Sequence, residues 1–175
     1  MIVFRINAGC GIPTYKETSL PYEKRYFSGG AISLRGWKIR TLGPGTYNDV
    51  NNTINRTGDL KFEGNLEYRF SMLKFFGNIL EGALFTDFGN IWLIKENSNF
   101  VGAHINWQNF KEGMAADIGL GFRFNFQFFV IRLDAAVPMR DPSLTANNRW
   151  VYKNYTNYKN VSNAINLNFG IGYPF

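Results

Sequence analysis

The chain has 175 residues, with 19 lysines and arginines against 13 aspartates and glutamates, so its formal net charge is +6. Charged residues make up 18% and aromatic residues 17%, a composition that excludes a disordered chain and a coiled coil. A single cysteine and a single histidine exclude an internal disulfide and a metal site built from several such residues. No apolar run approaches the roughly 18 residues of a membrane helix. A membrane barrel stays open, because its strands have one polar face.

Six segments show the period-two alternation of apolar and polar residues that is typical of amphipathic strands. In chain order, we predict strands near residues 2–9, 60–70, 79–92, 114–126, 128–138 and 164–175. Strands of about ten residues or more are long enough to cross a bilayer when they are tilted. The alternation therefore predicts an all-β protein whose strands can span a membrane.

The connections between these predicted strands alternate between short and long. Segments 71–78 and 127 are short, whereas segments 10–59, 93–113 and 139–163 are long. Tight turns on one side and large loops on the other are the pattern of outer-membrane barrels. The alternative is a soluble sandwich or a lipocalin-like barrel, in which the apolar face would form a dry core.

Aromatic residues occur near the long loops at Trp92, Trp107, Trp150 and Tyr152. Such residues favour the two interfaces between the hydrocarbon of a membrane and water. We therefore expect these four side chains to form an aromatic girdle on the long-loop side of the sheet.

Six strands are too few to close a membrane barrel, since the smallest bacterial ones have eight. An open sheet edge in hydrocarbon would leave backbone groups unpaired. We therefore expect either the end piece of a larger barrel or an oligomer. The start of the chain, which reads as a strand without a signal peptide, favours the end piece.

The first long loop carries a motif that resembles a known family. Its residues Phe27-Ser28-Gly29-Gly30 and Leu34-Arg35-Gly36-Trp37 resemble the loop-six signature of the BamA/TamA superfamily of outer-membrane assembly barrels, also called bacterial surface antigen barrels. Leu34 replaces the valine and Trp37 replaces the phenylalanine or tyrosine of that signature. The neighbouring runs LPYEKRYFSGG and RTLGPG are most similar to TamA-like members from Bacteroidetes.

A second motif, Phe85-Thr86-Asp87-Phe88-Gly89, is similar to the Phe-x-Asp-x-Gly strand motif of the same family. The resemblance covers the whole chain and implies the last six antiparallel strands of a sixteen-stranded transmembrane barrel. It also implies that Arg35 contacts Asp87 inside the barrel, with Glu67 as a second partner. Without the resemblance, Arg35 at an exposed loop tip is the alternative, where an ion pair contributes about 0–1 kcal/mol.

The carboxyl-terminal residues Phe169, Ile171, Tyr173 and Phe175 resemble the terminal signal of outer-membrane barrels. In the family, this strand also forms one side of a lateral seam. A strand that only packs against lipid is the alternative. Gly170, Gly172 and Pro174 weaken the pairing of this strand with its neighbours. Such weak pairing is compatible both with a seam and with a strand that only packs against lipid.

The sequence gives poor support to a catalytic site. His104 has no spaced serine and aspartate that would form a triad, and Ser28 lacks the Gly-x-Ser-x-Gly elbow. We therefore predict no catalytic residue, no metal and no cofactor. The basic residues are scattered, which favours attraction to anionic lipid headgroups over binding of nucleic acid.

The resemblance implies a protein of the bacterial outer membrane that inserts or exports unfolded outer-membrane protein clients without catalysis. Its partners would be these clients, membrane lipid with lipopolysaccharide, and periplasmic domains that lie outside this chain. Two alternatives remain open. One is a passive pore or structural barrel, and the other is the barrel anchor of a larger protein with an upstream enzymatic domain.

Overall fold

The computed structural model describes residues 1–13, 20–48, 56–75, 78–126, 128–156 and 158–172. Within these residues, six strands form one antiparallel sheet in the order of the sequence. The strands are β1 (Ile2–Cys10), β2 (Leu60–Phe75), β3 (Asn78–Trp92), β4 (Ala115–Phe126), β5 (Phe129–Arg140) and β6 (Asn166–Ile171). The prediction of an all-β, antiparallel, six-stranded fold is therefore confirmed.

The register between neighbouring strands places polar residues next to polar residues on one face of the sheet. Asp87 of β3 lies between Asn65 of β2 and Asp117 of β4. Further along, Asp134 of β5 pairs with Asn168 of β6. Because side chains alternate between the two faces of a strand, this register gathers the charged side chains on a single surface, which we call the inner face.

The opposite surface, which we call the outer face, is apolar and uncovered over most of its area. The large apolar side chains exposed on it include Ile2, Phe4, Ile6, Leu66, Tyr68, Phe70, Leu84, Ile118, Leu120, Phe122, Leu133, Leu167, Phe169 and Ile171. A soluble sandwich would bury this surface and expose the charged one. Here the burial is reversed, as it is in a wall between lipid and a polar interior.

Short helices lie in the long connections, where the sequence predicts only loop. They are α1 (Trp107–Gly113) and α2 (Tyr158–Ala164), with short 3-10 helices at Tyr22–Lys24, Ala146–Asn148 and Val151–Asn154. Among the described residues, no helix is long and apolar enough to cross a membrane.

The last strand is shorter than the predicted segment 164–175. Ala164 ends α2, and the N–H group of Ile165 donates to the carbonyl of Val161, so these two residues close a helical turn. The strand begins at Asn166 and is assigned through Ile171. The alternating pattern in the sequence, which includes Ile165 and Leu167, therefore begins before the strand does. Of the predicted terminal signal, Tyr173 and Phe175 lie outside the described residues.

The expected aromatic girdle is wrong for Trp92. This side chain is fully buried beneath α1, where its ring lies 5.2 Å from that of Phe110 and its Nε1 donates to the carbonyl of Asn109. Trp107, Trp150 and Tyr152 are exposed, as a girdle requires. The sequence places Trp92 at the end of a strand but does not show that a helix folds over it.

Candidate functional site

The first loop, residues 11–59, folds over the inner face of the sheet. In its described part, the loop contacts strands from one edge of the sheet to the other. At β1, the guanidinium of Arg5 donates to the carbonyl of Ile32 over 2.6 Å. At β6, the amides of Asn166 and Asn168 donate to the carbonyl of Arg35 over 2.8 and 2.9 Å. The loop thus bridges the whole width of the sheet.

Arg35 lies at the centre of this contact and is only 1% exposed. Its Nε donates to Oδ2 of Asp87 over 2.8 Å, and its Nη2 donates to Oδ1 over 2.9 Å. Its Nη1 donates to Oε2 of Glu67 over 2.7 Å. The fork of donors on a guanidinium matches a carboxylate in this two-point geometry. Asp87 therefore receives two bonds from the side chain and Glu67 receives one.

The charge of Arg35 is held in place despite its burial. Burial by itself would lower the pKa of Arg35, but the hydrogen bond to Asp87 and the nearby charges of Asp87 and Asp134 outweigh it and raise the pKa. The guanidinium carbon also lies 3.3 Å from the centre of the Phe85 ring. The ring thus supports one face of the cation while the carboxylates surround its edge.

The backbone on either side of Arg35 also binds carboxylates. The N–H group of Arg35 donates to Oδ2 of Asp87 over 3.2 Å, and that of Gly36 donates to Oδ2 of Asp117 over 2.8 Å. A Cβ atom on residue 36 would lie 2.6 Å from the Cβ atom of Asp117. The glycine of the motif is therefore required by this close approach.

A second layer of arginines surrounds the partners of Arg35. Glu67 receives hydrogen bonds from Arg69 over 2.7 Å and from two nitrogens of Arg123 over 3.0 Å each. Arg123 also donates to Asp134 over 2.7 Å, and Asp134 lies 3.7 Å from Arg35. All of these side chains are buried. Because a buried charge is costly when unpaired, the cluster is held together as a network.

The beginning of the motif is fixed on another carboxylate. Glu63 of β2 accepts from the hydroxyl of Ser28 over 2.7 Å and also from the hydroxyl of Ser33. The N–H group of Gly29 donates to the Ser33 hydroxyl over 3.0 Å, and that of Gly30 donates to the carbonyl of Trp37 over 2.8 Å. Ser28 is thus a structural hydrogen-bond donor in this arrangement.

The apolar members of the motif form a small core beneath the loop. Leu34 and Trp37 pack with Leu42 and Ala115, and all four are buried. Leu34 is fully buried and Trp37 is 8% exposed. Removing this apolar surface from water stabilises the folded loop by roughly 25 cal/mol per Å². The motif therefore combines a charged anchor with an apolar one.

The strand motif on β3 lies directly opposite the loop. Phe85 and Asp87 point to the inner face, where both contact Arg35. Gly89 has a φ of 149°, and a side chain there would meet the carbonyl of Phe62 on the neighbouring strand. Phe169 and Ile171 of the predicted terminal signal are exposed on the outer face of β6.

Several members of this network are not identified as partners of the motif by the sequence. In the sequence, Asp117, Arg123 and Asp134 are only charged residues at the polar alternate positions of their strands. Asn166 and Asn168 have the same parity on β6. The parity places all five on the inner face, but the contacts depend on the register and on the path of the loop.

The network around Arg35 consists of buried ion pairs and hydrogen bonds. Within the described residues, no group of three histidine, cysteine, aspartate or glutamate side chains is placed to hold a metal ion. In a comparison with known families, the family model described as the Omp85 superfamily domain matches residues 1–175. The match extends over both edges of the sheet and over the first loop.

Proposed function

Because the chain belongs to the Omp85 superfamily of outer-membrane protein assembly and translocation, we propose that it forms part of a barrel that inserts or exports client proteins. The family relationship inferred from the loop and strand motifs is thereby confirmed. In this proposal the chain supplies the carboxyl-terminal six strands of a larger barrel, and its work is non-covalent. The narrower likeness to TamA-like members from Bacteroidetes stays a prediction.

One observation carries the proposal, namely that a single loop binds the inner faces of strands at both edges of the sheet. Arg35 contacts β2 and β3 through Glu67 and Asp87, and its carbonyl accepts from two asparagines of β6. A barrel that handles clients needs a braced interior while the edges of the sheet engage other strands. The loop supplies such a brace, since the bonds of Arg35 to Glu67 and Asp87 are buried and those from the two asparagines are partly buried.

The proposed partners follow from the two faces of the sheet. The outer face presents bare apolar side chains, which suits membrane lipid and lipopolysaccharide. The edge strands β1 and β6 each have one partner in the strand order. In the proposal, further strands of the complete protein pair there, unfolded outer-membrane proteins are the clients, and periplasmic domains outside this chain deliver them.

The test uses the complete gene product, reconstituted in liposomes and presented with an unfolded barrel client. We expect faster insertion of the client, followed by its heat-modifiable mobility in gels, than in liposomes without the protein. Asp87→Asn should slow this insertion, because it removes one of the two carboxylate charges that bind Arg35. The matched control is Arg149→Gln, which removes the 3.2 Å ion pair between Arg149 and Glu112. This pair joins two of the long connections and does not belong to the network on the inner face.

The competing function is a passive pore, and the same liposomes distinguish it. Steady ion conductance together with no acceleration of client insertion would contradict the proposed role and favour the pore. Turnover that depends on an upstream domain would favour the barrel anchor of an enzyme. Within the described residues, most charges on the inner face are buried, and those around Arg35 are paired, which supports a braced interior over an open channel.

A further inference from the structure

A cleft of about 640 Å³ lies on the outer face, at the end of the sheet from which the long connections emerge. Strands β1 and β2 form its floor, and α1 forms its wall. Its apolar lining includes Ala8, Cys10, Leu60, Phe62, Trp107 and Phe110. A volume of this size lies within the roughly 300–1,000 Å³ that is typical of ligand sites.

The wall of the cleft is packed firmly against the sheet. The ring of Phe110 lies 5.8 Å from that of Phe62 and 5.2 Å from that of the buried Trp92. At the end of the helix, the guanidinium of Arg140 donates to the carbonyls of Glu112 and Met114. Because Phe110 packs on the sheet and the carbonyls at the end of the helix are bound by Arg140, α1 is fixed in place as the wall of the cleft.

The rim of the cleft differs from its floor. Trp107 stacks on Phe110 with an angle of 7° between the rings and is 72% exposed. The ammonium of Lys111 lies 4.6 Å from the Trp107 ring. A tryptophan beside a lysine is the combination found where the hydrocarbon of a membrane meets its headgroups. The apolar floor below this rim is continuous with the bare outer face.

From this arrangement we infer that the cleft binds one acyl chain of an anionic membrane lipid, with the headgroup against Trp107 and Lys111. The apolar floor matches the hydrocarbon chain, and the cation at the rim matches the phosphate in charge. The inference rests on the proposed function only in that the outer face must meet a bilayer. It adds an ordered lipid site to that face.

The test reconstitutes the complete protein in phosphatidylcholine vesicles with a minor fraction of phosphatidylglycerol that has a photoreactive diazirine on its acyl chain. After illumination, adducts are mapped by mass spectrometry. At Phe62 and Phe110 we expect saturable labelling, about tenfold above that at Phe122 and Phe169 of the open outer face, which corresponds to about 1.4 kcal/mol. When the diazirine is on phosphatidylcholine instead, we expect the excess to shrink.

The matched variants are Ala8→Trp, which fills the cleft, and Ala135→Trp, which adds the same side chain elsewhere on the outer face. Ala8→Trp should reduce adducts at Phe110 to the level at Phe122, whereas Ala135→Trp should leave them unchanged. If Ala8→Trp does not insert, reaction of Cys10 with a phenylmaleimide fills the cleft in the folded protein, because this cysteine is exposed and lines it.

Three other results of the labelling experiment would each contradict a different part of the inference. Equal labelling in the cleft and on the open face would overturn the lipid site while leaving the outer face in the bilayer. Cross-links from the cleft to another protein would also overturn it, in favour of a protein partner. An absence of adducts at all four positions would overturn the placement of the outer face in a membrane, and with it the proposed function.

Discussion

The inner and outer faces of the sheet are built from alternate residues of the same strands, but they are held in opposite ways. On the inner face, Arg35 is 1% exposed and its carboxylate partners are fully buried. On the outer face, Leu120 is 57% exposed and Phe169 is 62% exposed. The inner face depends on specific partners at specific distances, whereas the outer face needs only a medium that accepts apolar groups.

This difference shows where the identity of a residue matters in this protein. The protein loses much stability when one member of a buried ion pair is removed, because the remaining charge has neither a partner nor water to solvate it. An apolar side chain in lipid is interchangeable with others of its kind, although a charge is not tolerated there. The predictions below use this contrast, from the largest expected effect to the smallest.

Arg35→Ala should lower the free energy of unfolding by about 3–5 kcal/mol, because it leaves the buried carboxylate of Asp87 without its cation and removes one of the cations around Glu67. The loss is measurable by denaturant unfolding in micelles and by faster protease cleavage of the first loop. Arg149→Ala is the matched control, since it breaks the ion pair between Arg149 and the partly exposed Glu112. This pair lies outside the network around Arg35 and is of the kind that contributes little to stability. Equal and small effects of the two variants would mean that Arg35 does not anchor the loop.

Leu120→Arg should lower stability in a bilayer by about 2–4 kcal/mol, because it places a charge on the lipid-facing surface near mid-span. Leu120→Ile, which keeps the surface apolar, is the control and should have little effect. The measurement is the equilibrium between folded and unfolded protein in liposomes. If Leu120→Arg were tolerated as well as Leu120→Ile, the outer face would not meet hydrocarbon.

Gly36→Ala should lower the free energy of unfolding by about 1–3 kcal/mol, since the added methyl group would overlap the side chain of Asp117. Gly11→Ala is the matched control in the same loop, because the new methyl group there meets only the flexible end of the Leu20 side chain. The two variants are compared by denaturant unfolding. A larger effect at Gly11 than at Gly36 would contradict the close approach of the motif to β4.

Asn168→Ala should lower stability by only about 0.5–1.5 kcal/mol, because the carbonyl of Arg35 keeps its bond from Asn166. Asn166→Ala should behave in the same way. The double variant should lose more than the sum of the two, since the carbonyl then has neither donor. Strict additivity in a double-mutant cycle would show that the two asparagines do not share this acceptor.

The two faces of the sheet are predictable from the sequence because strand alternation is a local property. Inward charges such as Glu67 and Arg123 lie between outward-facing apolar or aromatic residues of their own strands. The pairing of these charges is less predictable, because it depends on register and on a loop that is distant in sequence. Arg35 and Asp134, for example, are 3.7 Å apart although nearly a hundred positions separate them.

The burial of Trp92 is also not predictable from the sequence. Its position at the end of a strand is the same for a tryptophan at a membrane interface and for one beneath a helix. Only the packing of Phe110 on its ring distinguishes the two. The cleft beside α1 follows from the same packing, and no motif marks it in the sequence.

The strands, their two faces and the motif at Arg35 and Gly36 can be read from the sequence, since periodicity and short motifs act through neighbours in the chain. The resemblance already implied that Asp87 and Glu67 bind Arg35, but only the folded chain shows the arginines around Glu67, the reason why residue 36 must lack a side chain, and the place of α1 on the sheet. Those features arise when residues far apart in the chain approach within hydrogen-bond or van der Waals distance. The free energy that selects such contacts is a property of the folded network as a whole.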